Sequence, residues 1–391
     1  MKKITIILTV LITMTITSNA QWTLVNDGIP TVGNNYVDAL AISGSNIFAG
    51  LRSGGVYLST NEGDLWSSVN NGLTNDTVTA LAISGSNIFA GTLGGVFLSI
   101  NNGSSWVAVN NGLTNTDVHS LAISGSSIFV GTENGIFLSN NNGGLWTAVN
   151  NGLPANTGVY SIIISGINIF AGTIFYGVYL STNNGNNWTA AGLSGNWVNA
   201  LAISGTNIFA GTSYGGMFLS TNNGGLWTAI NNGLPASSNV YSLTTNGINI
   251  FAGTDGGVFI SNNNGSLWTL WNNGLPTYYY AYAFATSTIN IFAGSGLSRV
   301  YMRPLSEITK IEEINDNSTI VLYPNPAADY ITLETPQREI IEIINIQGRL
   351  IKTIEASSNK TTINISGLTS GMYIVKIQTE KGVSINKIVK E

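Results

Sequence analysis

The sequence has no cysteine, a single histidine and few charged residues, and each shortage excludes a class of protein. Without cysteine the chain can form no disulfide framework, thiol nucleophile, iron–sulfur cluster or cysteine-based zinc site. His119 alone cannot build a multi-histidine metal centre, so we predict neither a metal nor a cofactor. Charged residues make up 8% of the 391 residues, and no lysine occurs from residue 4 to residue 309. Because a protein that binds the phosphates of a nucleic acid needs many basic side chains, we also predict no nucleic-acid partner.

Residues 1–20 have the pattern of a secretory signal peptide. Lys2 and Lys3 give a positive start, residues 4–16 are mostly apolar, and small residues precede a cleavage site after Ala20. A transmembrane anchor is the alternative, but this apolar run is shorter than the ~20 residues that cross a bilayer. No later apolar run reaches that length, so we predict no transmembrane segment in the mature chain.

A unit of about 40 residues repeats along the chain and predicts its fold class. Each unit contains four short β-branched or aromatic runs separated by Gly, Asn and Ser turns, which is typical of the four strands of a propeller blade. In the second unit these runs are Val78–Ser84, Asn87–Thr92, Gly95–Ser99 and Trp106–Asn110. Near copies of the phrase Ile-Phe-Ala-Gly mark the repeats and begin at Ile47, Ile88, Ile128, Ile169, Ile208, Ile250 and Ile291.

The two ends of the repeat region complement each other. Residues 22–26 match the fourth run of a unit, with nothing before them, whereas the seventh unit lacks its own Trp-containing run. We therefore expect the N-terminal strand to complete the last blade, which would remove the free sheet edges. The prediction is an all-β chain whose residues 21–304 form a seven-bladed β-propeller closed by the N-terminal strand.

The link between the third and fourth runs reads Ser-x-Asn-x-Gly-x-x-Trp in six units and resembles the Asp-box, or BNR, repeat. That repeat occurs in sialidases, sortilin-type receptors and photosystem-assembly propellers, and it implies a propeller without implying an activity. This chain departs from the family by having Asn where the family has Asp. We predict a structural role, in which Asn and Gly form the turn and Trp packs between sheets. The residues are Asn61, Trp66, Asn101, Trp106, Asn141, Trp146, Asn183, Trp188, Asn222, Trp227, Asn263 and Trp268.

The units differ mainly in two sets of links, which should open on the same face of the propeller. One set joins second to third strands, and the other joins successive blades. The residue after the opening Val of each first strand should form a ring on that face; Thr79 occupies this register in the second unit. Aromatic planes beside polar groups suit a sugar ligand, although the tyrosines could instead cap the blade cores. The candidate ligand-binding residues are Asp38, Arg52, His119, Glu133, Tyr160, Phe175, Tyr176, Trp197, Asn199, Tyr214, Tyr241, Asp255 and Tyr282.

The C-terminal segment differs in composition and resembles the type A C-terminal sorting domain of the type IX (Por) secretion system of Bacteroidetes. The matching segments are residues 322–327, 345–349, 365–376 and 387–390, in the family's order. The resemblance implies a small immunoglobulin-like β-sandwich over residues 319–391, after a linker over 305–318. It also implies the type IX machinery as a partner and an extracellular or cell-surface location. A generic β-sandwich accessory domain is the alternative.

The predicted function is an exported binding module for a glycan or a surface partner. The alternative is an Asp-box glycoside hydrolase, sialidase-like or otherwise polysaccharide-degrading. A sialidase-like site needs three convergent arginines, and the repeat region offers only Arg52, Arg299 and Arg303, which lie in its first and last units. Single acids on different blades form no recognisable catalytic pair, so we nominate no catalytic residue. A spacer in a surface assembly is a third possibility.

Overall fold

A computed structural model describes residues 21–31, 35–308, 321–334, 340–345, 350–356, 360–379 and 382–391. The predicted signal peptide and residues 309–318 of the predicted linker lie outside these described residues. The chain divides into two compact units, the first ending at Glu307 and the second beginning at Ile308. Within the described ranges no helix is long and apolar enough to cross a bilayer. The fold is all-β and propeller-like, with one short 3-10 helix at Leu305–Glu307 in the described part.

The described part of the first unit contains seven antiparallel sheets of four strands, numbered here along the chain. Sheets 1 to 3 comprise β2 Val37–Ser43, β3 Asn46–Leu51, β4 Gly55–Ser59 and β5 Ser67–Ser68; β6 Val78–Ser84, β7 Asn87–Thr92, β8 Gly95–Ser99 and β9 Val107–Ala108; β10 Val118–Ser124, β11 Ser127–Thr132, β12 Gly135–Ser139 and β13 Thr147–Ala148. Sheets 4 to 6 comprise β14 Val159–Ser165, β15 Asn168–Thr173, β16 Gly177–Ser181 and β17 Thr189–Ala190; β18 Val198–Ser204, β19 Asn207–Thr212, β20 Gly216–Ser220 and β21 Thr228–Ala229; β22 Val240–Asn246, β23 Asn249–Thr254, β24 Gly257–Ser261 and β25 Thr269–Leu270. Sheet 7 comprises β26 Ala281–Thr286, β27 Asn290–Ser295, β28 Arg299–Pro304 and the N-terminal β1 Thr23–Leu24.

The N-terminal strand lies at the outer edge of sheet 7. Thr23 pairs with Met302 and Leu24 pairs with Tyr301, so β1 takes the place of the missing fourth strand. Each first strand contacts the first strand of the next sheet, and β26 contacts β2. The described ends of the repeat region are therefore joined within one sheet.

Burial follows position in the sheet. The second strands are buried almost throughout, because each has a strand on either side and another sheet above and below. Phe89 of β7 and the equivalent phenylalanine of each other second strand are fully buried in the core. Each first strand begins with a buried residue followed by a half-buried one, as Val78 and Thr79 do in β6. The second residue of each first strand therefore remains available to line a cavity.

The fourth strands are shorter than the sequence predicts, since only two residues of each pair with the third strand. In the second unit the prediction was Trp106–Asn110, but β9 spans Val107–Ala108. The reason is that the backbone N–H of Trp106 donates to the carbonyl oxygen of Asn71 at 2.8 Å instead of to its own sheet. The indole Nε1 of Trp106 also donates a hydrogen bond of 2.7 Å to the carbonyl oxygen of Val69 in the preceding unit. The same bond recurs from Trp66, Trp146, Trp188, Trp227 and Trp268.

The Ser-x-Asn-x-Gly turns have the hydrogen bonds expected of a structural motif. Asn61 Oδ1 accepts from Ser59 Oγ at 2.9 Å and from the backbone N–H of Leu65 at 3.1 Å. Gly63 donates its N–H to Ser59 Oγ and has a φ of 90°, which favours glycine. The residue before it, Glu62, also has a positive φ, and sequence reasoning missed this second strained position.

The second unit consists of two sheets around one hydrophobic cluster. Its strands are β29 Val321–Tyr323, β30 Tyr330–Glu334, β31 Ile340–Asn345, β32 Leu350–Glu355, β33 Lys360–Asn364, β34 Gly371–Thr379 and β35 Gly382–Lys390. One sheet has the order β29-β30-β33 and the other β32-β31-β34-β35. Ile331 and Ile363 from the first sheet share their core with Ile341 and Val375 from the second.

Candidate functional site

A cavity of about 500 Å³ lies where the first strands of the seven sheets begin. Its lining comes from three kinds of segment, and both sets of variable links contribute. The first strands supply Asp38, Thr79, His119, Tyr160, Asn199, Tyr241 and Tyr282; the links between second and third strands supply Arg52, Ser213 and Tyr214; the links between sheets supply Trp197 and Asn239.

Each of the seven first-strand residues is the extra residue of a β-bulge. In sheet 1, Val37 pairs with Leu51 and Ala39 pairs with Gly50, which leaves Asp38 without a partner. The same irregularity occurs in the other six first strands. Because a bulge re-aims a side chain and ends regular pairing, seven sheets each direct one residue towards the cavity.

The glycine of the repeated Ile-Phe-Ala-Gly phrase lies in a second strand and allows the first strand of the next sheet to pack closely against it. A Cβ atom on Gly50 would lie 2.5 Å from Cγ1 of Val78 in the next sheet, which is closer than any real contact. Gly91 has the same relation to Val118. The repeated glycine is therefore needed for packing around the cavity, and the motif has a structural cause.

Aromatic rings line the side of the cavity formed by sheets 3 to 5. His119 stacks on Tyr160 with ring centroids 4.3 Å apart and an angle of 9° between the planes. Tyr160 then meets Trp197 edge-to-face at 5.6 Å, and Phe175 packs on the other side of Trp197 at 6.0 Å. These contacts hold the ring planes in place before any ligand arrives.

A second aromatic cluster lies at sheets 6, 7 and 1. Tyr282 meets Tyr241 at 5.1 Å, Tyr36 edge-to-face at 5.0 Å and Tyr280 in a stacked arrangement at 6.2 Å. Tyr280 also approaches Tyr241 at 6.3 Å. Tyr36 and Tyr280 do not line the central cavity but support the tyrosines that do.

The acidic residues at the cavity are paired with their neighbours. Asp38 accepts two hydrogen bonds from the guanidinium of Arg52, at 2.7 and 3.1 Å, and Arg52 lies over the ring of Tyr36. Glu133 Oε2 lies 2.9 Å from His119 Nε2 and accepts a 3.1 Å hydrogen bond from the hydroxyl of Tyr160. The pairs fix the orientation of the acids and leave the rings to form most of the wall.

Amide side chains form the remaining polar part of the wall. Asn199 donates to the Val240 carbonyl at 2.8 Å and to Ser213 Oγ at 3.0 Å. Asn239 donates to Asp255 Oδ2 at 2.9 Å and accepts the backbone N–H of Tyr214 at 3.1 Å. The hydrogen bond from the Tyr214 N–H to Asn239 fixes the backbone of the link that carries the exposed Tyr214 ring.

Burial favours the neutral form of three cavity tyrosines, Tyr160, Tyr241 and Tyr282. It raises the pKa of Tyr160 to about 12, and the negative charge of Glu133 adds to the effect. Burial also raises the pKa of Tyr241 and of Tyr282. For Asp38 burial raises the carboxyl pKa, while the hydrogen bonds from Arg52 oppose the shift. The hydroxyls of these three tyrosines are therefore uncharged hydrogen-bonding groups at ordinary pH.

The structure brings most, but not all, of the sequence-predicted residues to one cavity. Glu133 and Phe175 lie directly behind its wall, through their contacts with Tyr160 and Trp197. Tyr176 is exposed away from the lining, and Asp255 reaches it only through Asn239. Two lining residues were missed, Asn239 and Ser213, although each adjoins a nominated segment in the sequence. The remaining nominated residues, Asp38, Arg52, His119, Tyr160, Trp197, Asn199, Tyr214, Tyr241 and Tyr282, all line the cavity.

Metal ligands are not clustered in the described part of the chain. No group of three or more His, Asp or Glu side chains there could hold a metal ion. The arrangement instead offers flat aromatic surfaces, neutral hydroxyls, amides and one charged pair. Such a site can bind a ligand through stacking and hydrogen bonds.

Two parts of the chain match known families. Residues 321–391 match the secretion system C-terminal sorting domain, which confirms the prediction from the tail. Residues 113–249 match the DUF6242 beta propeller domain. The fold and the sorting domain together define an exported β-propeller protein. The sorting domain indicates export by type IX secretion to the cell surface or the extracellular space, as predicted.

Solved structures share the fold at low sequence identity. YCF48 from Cyanidioschyzon merolae aligns with a TM-score of 0.57 and 13% identity over 73% of this chain and 98% of that chain. YCF48 bound to D1 peptide aligns with a TM-score of 0.58 and 11% identity, over 73% of this chain and 96% of that chain. An ancestral GH74 enzyme has a TM-score of 0.59 and 17% identity, over 94% of this chain and 63% of that chain. The extracellular domain of a B. thetaiotaomicron protein described as a one component system has a TM-score of 0.60 and 15% identity, over 95% of this chain and 59% of that chain.

These likenesses establish the fold alone, because every identity is low. The chain also spans only about three fifths of the length of the GH74 enzyme and of the B. thetaiotaomicron domain. No curated protein sequence matches the chain at a significant level. The binding target must therefore be argued from the site itself.

Proposed function

We propose that the chain is a secreted or surface-attached seven-bladed propeller that binds a glycan in its central cavity. The seven sheets correspond to seven blades over residues 21–304, and the β1–β28 pairing with the β26–β2 contact supports a closed ring. Residues 1–20 act as the signal peptide and 305–318 as the linker. Residues 319–391 form the immunoglobulin-like sorting sandwich, consistent with its two sheets. The hydrogen bonds of the six Ser-x-Asn-x-Gly turns support their assignment as Asp-box repeats.

The observation that carries the proposal is that aromatic rings and polar side chains line the same cavity. Its volume of about 500 Å³ falls within the roughly 300–1,000 Å³ of small-ligand sites. Trp197 and Tyr214 offer faces on which the C–H groups of a sugar can stack. Asn199 and the Asp38–Arg52 pair offer donors and acceptors for sugar hydroxyls. A neutral or weakly charged sugar fits this combination better than a nucleotide, which would need more cations.

A glycan array with point variants tests the proposal. The Tyr214→Ala variant removes a side chain that is 74% exposed, so it should fold normally while losing at least about tenfold in glycan affinity. The Trp197→Ala variant should lose more, since Trp197 also positions Tyr160. Tyr176→Ala is the matched control, because Tyr176 is an exposed tyrosine outside the cavity lining.

The array can also contradict the proposal. Glycan binding that survives both cavity variants would place the binding surface elsewhere on the protein. Binding that falls equally with Tyr176→Ala would point to a general surface effect. Absence of any glycan signal would favour a protein partner; YCF48 has been solved bound to D1 peptide, so this fold does accept a peptide in that protein.

The second candidate is a glycoside hydrolase of the Asp-box kind. Two observations favour it: the likeness of fold to GH74 enzymes, and the hydrogen bond between Tyr160 and Glu133. The raised pKa of Tyr160 opposes its use as a nucleophile, because the phenolate is then scarce. Release of reducing ends from a polysaccharide panel tests this candidate. Activity that disappears in Glu133→Gln would establish it in place of the binding module.

A further inference from the structure

A second, smaller cavity of about 240 Å³ lies beside the central one, at the junction of sheets 7 and 1. It adjoins the central cavity through Tyr36 and Tyr280, both of which contact Tyr282. Its volume is below the roughly 300–1,000 Å³ of complete ligand sites, so it suits one part of a longer ligand. Its lining includes Tyr36, Tyr278, Tyr280 and Arg299.

Arg299 is the only charged residue of that lining. Arg299 is the first residue of β28 and is half-buried. Its Nε atom is buried and has no hydrogen-bond partner. The two other arginines in the described part of the first unit each form an ion pair. Arg52 is paired with Asp38, and Arg303 is paired with Glu307 while also lying over the ring of Trp271.

An unpaired cation in a partly buried site is costly unless an anion completes it. Charged groups lose hydration when they are buried, so buried charges are normally paired. No Asp or Glu lines this cavity among the described residues, and no described ion pair involves Arg299. Because Arg299 lines the cavity, an anionic group of a ligand bound there would supply the ion pair that Arg299 lacks among the described residues.

We infer that the Arg299 cavity is an anionic subsite that takes the carboxylate of a uronic-acid residue in a glycan. The inference rests on the proposed function, because the neighbouring sugar would occupy the central cavity. A carboxylate is favoured because its planar pair of oxygens matches the donors of a guanidinium. A glycan is favoured over a peptide because tyrosine rings continue from one cavity to the other and would stack on successive sugars. The exposed ring of Tyr278 and that of Tyr36 border the subsite.

Calorimetric titration of the mature full-length chain with two matched probes tests the inference. The probes are oligogalacturonate and the same oligosaccharide with its carboxyl groups methyl-esterified. Wild-type protein should bind the free acid at least about tenfold more tightly than the ester, as expected for a charge-assisted hydrogen bond. Arg299→Met should lose that preference while keeping its affinity for the ester. Arg299→Lys should retain part of the preference, because it keeps the charge and loses the planar fork.

The outcomes separate this inference from the proposed function. Equal binding of acid and ester by wild-type protein would overturn the anionic subsite and leave glycan binding intact. A loss of affinity for both probes in Arg299→Met would assign Arg299 a structural role and also overturn it. If neither probe binds, the uronate assignment fails, and the Tyr214 variant on the array decides the proposed function separately. An Arg299-dependent preference for peptides with free rather than amidated C-termini would replace the glycan by a peptide.

Discussion

The indole Nε1 of Trp22 donates a 2.6 Å hydrogen bond to the carbonyl oxygen of Trp271, 249 residues further along the chain. Trp22 belongs to the N-terminal segment that ends in sheet 7, and Trp271 follows the fourth strand of sheet 6. The bond has the same form as the six bonds from Trp66 to Trp268, each of which joins a sheet to the one before it. The N-terminal segment thus makes the inter-sheet contact of a regular unit, besides pairing with β28.

We expect Trp22→Ala to be strongly destabilising. Trp22 is fully buried, and truncating a buried aromatic residue costs about 3–5 kcal/mol. Trp22→Phe should cost less, about 1 kcal/mol, because it removes the indole donor while the Trp271 carbonyl still accepts a 3.4 Å hydrogen bond from Arg303 Nη1. Urea unfolding of the mature chain measures both values. Leu24→Ala, which alters a 48% exposed residue of the same strand, is the control and should change the free energy of unfolding little. Similar losses in all three variants would refute a specific role for the Trp22 bond.

The ion pair between Arg303 and Glu307 predicts a second stability effect at the same junction. Arg303 is only 1% exposed, and its Nε donates to Glu307 Oε2 at 3.0 Å. Glu307→Gln should destabilise the first unit by about 3 kcal/mol, because a buried cation loses its counter-charge. The loss should shrink in an Arg303→Met background, which removes that cation. Thermal unfolding of the single and double variants gives the coupling energy; additive losses would argue against the pair.

The hydrogen bonds of the repeated turn predict that Asp, which the Asp-box repeat has at this position, can replace Asn. Asn61 uses only its Oδ1 acceptor in described bonds, to Ser59 and to the N–H of Leu65. Asn61→Asp keeps that acceptor, so the free energy of unfolding should change by less than about 0.5 kcal/mol. Asn61→Ala removes two hydrogen bonds and should cost about 1–2 kcal/mol. Chemical denaturation compares them, and a larger loss for Asp than for Ala would contradict this account of the turn.

The raised pKa of Tyr160 predicts a pH effect on stability. Its usual value is near 10, and in the folded protein it is about 12, so the folded state holds the phenol proton more tightly than the unfolded state. The stabilising contribution is complete below about pH 10 and is lost as pH rises through about 12. Relative to Tyr160→Phe, wild-type protein should therefore lose unfolding free energy between these pH values. Parallel denaturation curves across that range provide the measurement.

A matched variant identifies the cause of the Tyr160 shift. Glu133→Gln removes the nearby charge, so spectrophotometric titration should find Tyr160 ionising at lower pH than in wild-type protein. Burial, the larger cause, remains, and the value should stay above the usual one. A Tyr160 that ionises with the usual pKa in wild-type protein would contradict the buried, Glu133-bonded arrangement.

The sequence alone predicted much of the site because the repeat supplies its own internal comparison. Seven near copies of one unit showed which positions are fixed by packing and which vary. The register after the opening Val led to Asp38, Thr79 and His119, which line one cavity in the structure. The sequence did not reveal why they point there. The bulge depends on how the first strand pairs with the second strand, and no residue type in the first strand predicts its position.

The sequence by itself determined the strand pattern, the units and the sorting tail, because turns and alternating apolar residues are local signals. Only the tertiary structure decided which side chains find partners. Asp38 and Arg52 are 14 residues apart and form an ion pair, whereas Arg299 forms no ion pair with any residue that the structure describes. Asp38 and Arg52 belong to neighbouring segments of sheet 1, whereas no Asp or Glu lines the cavity beside Arg299. Charge pairing depends on distances in space, which a one-dimensional pattern does not contain.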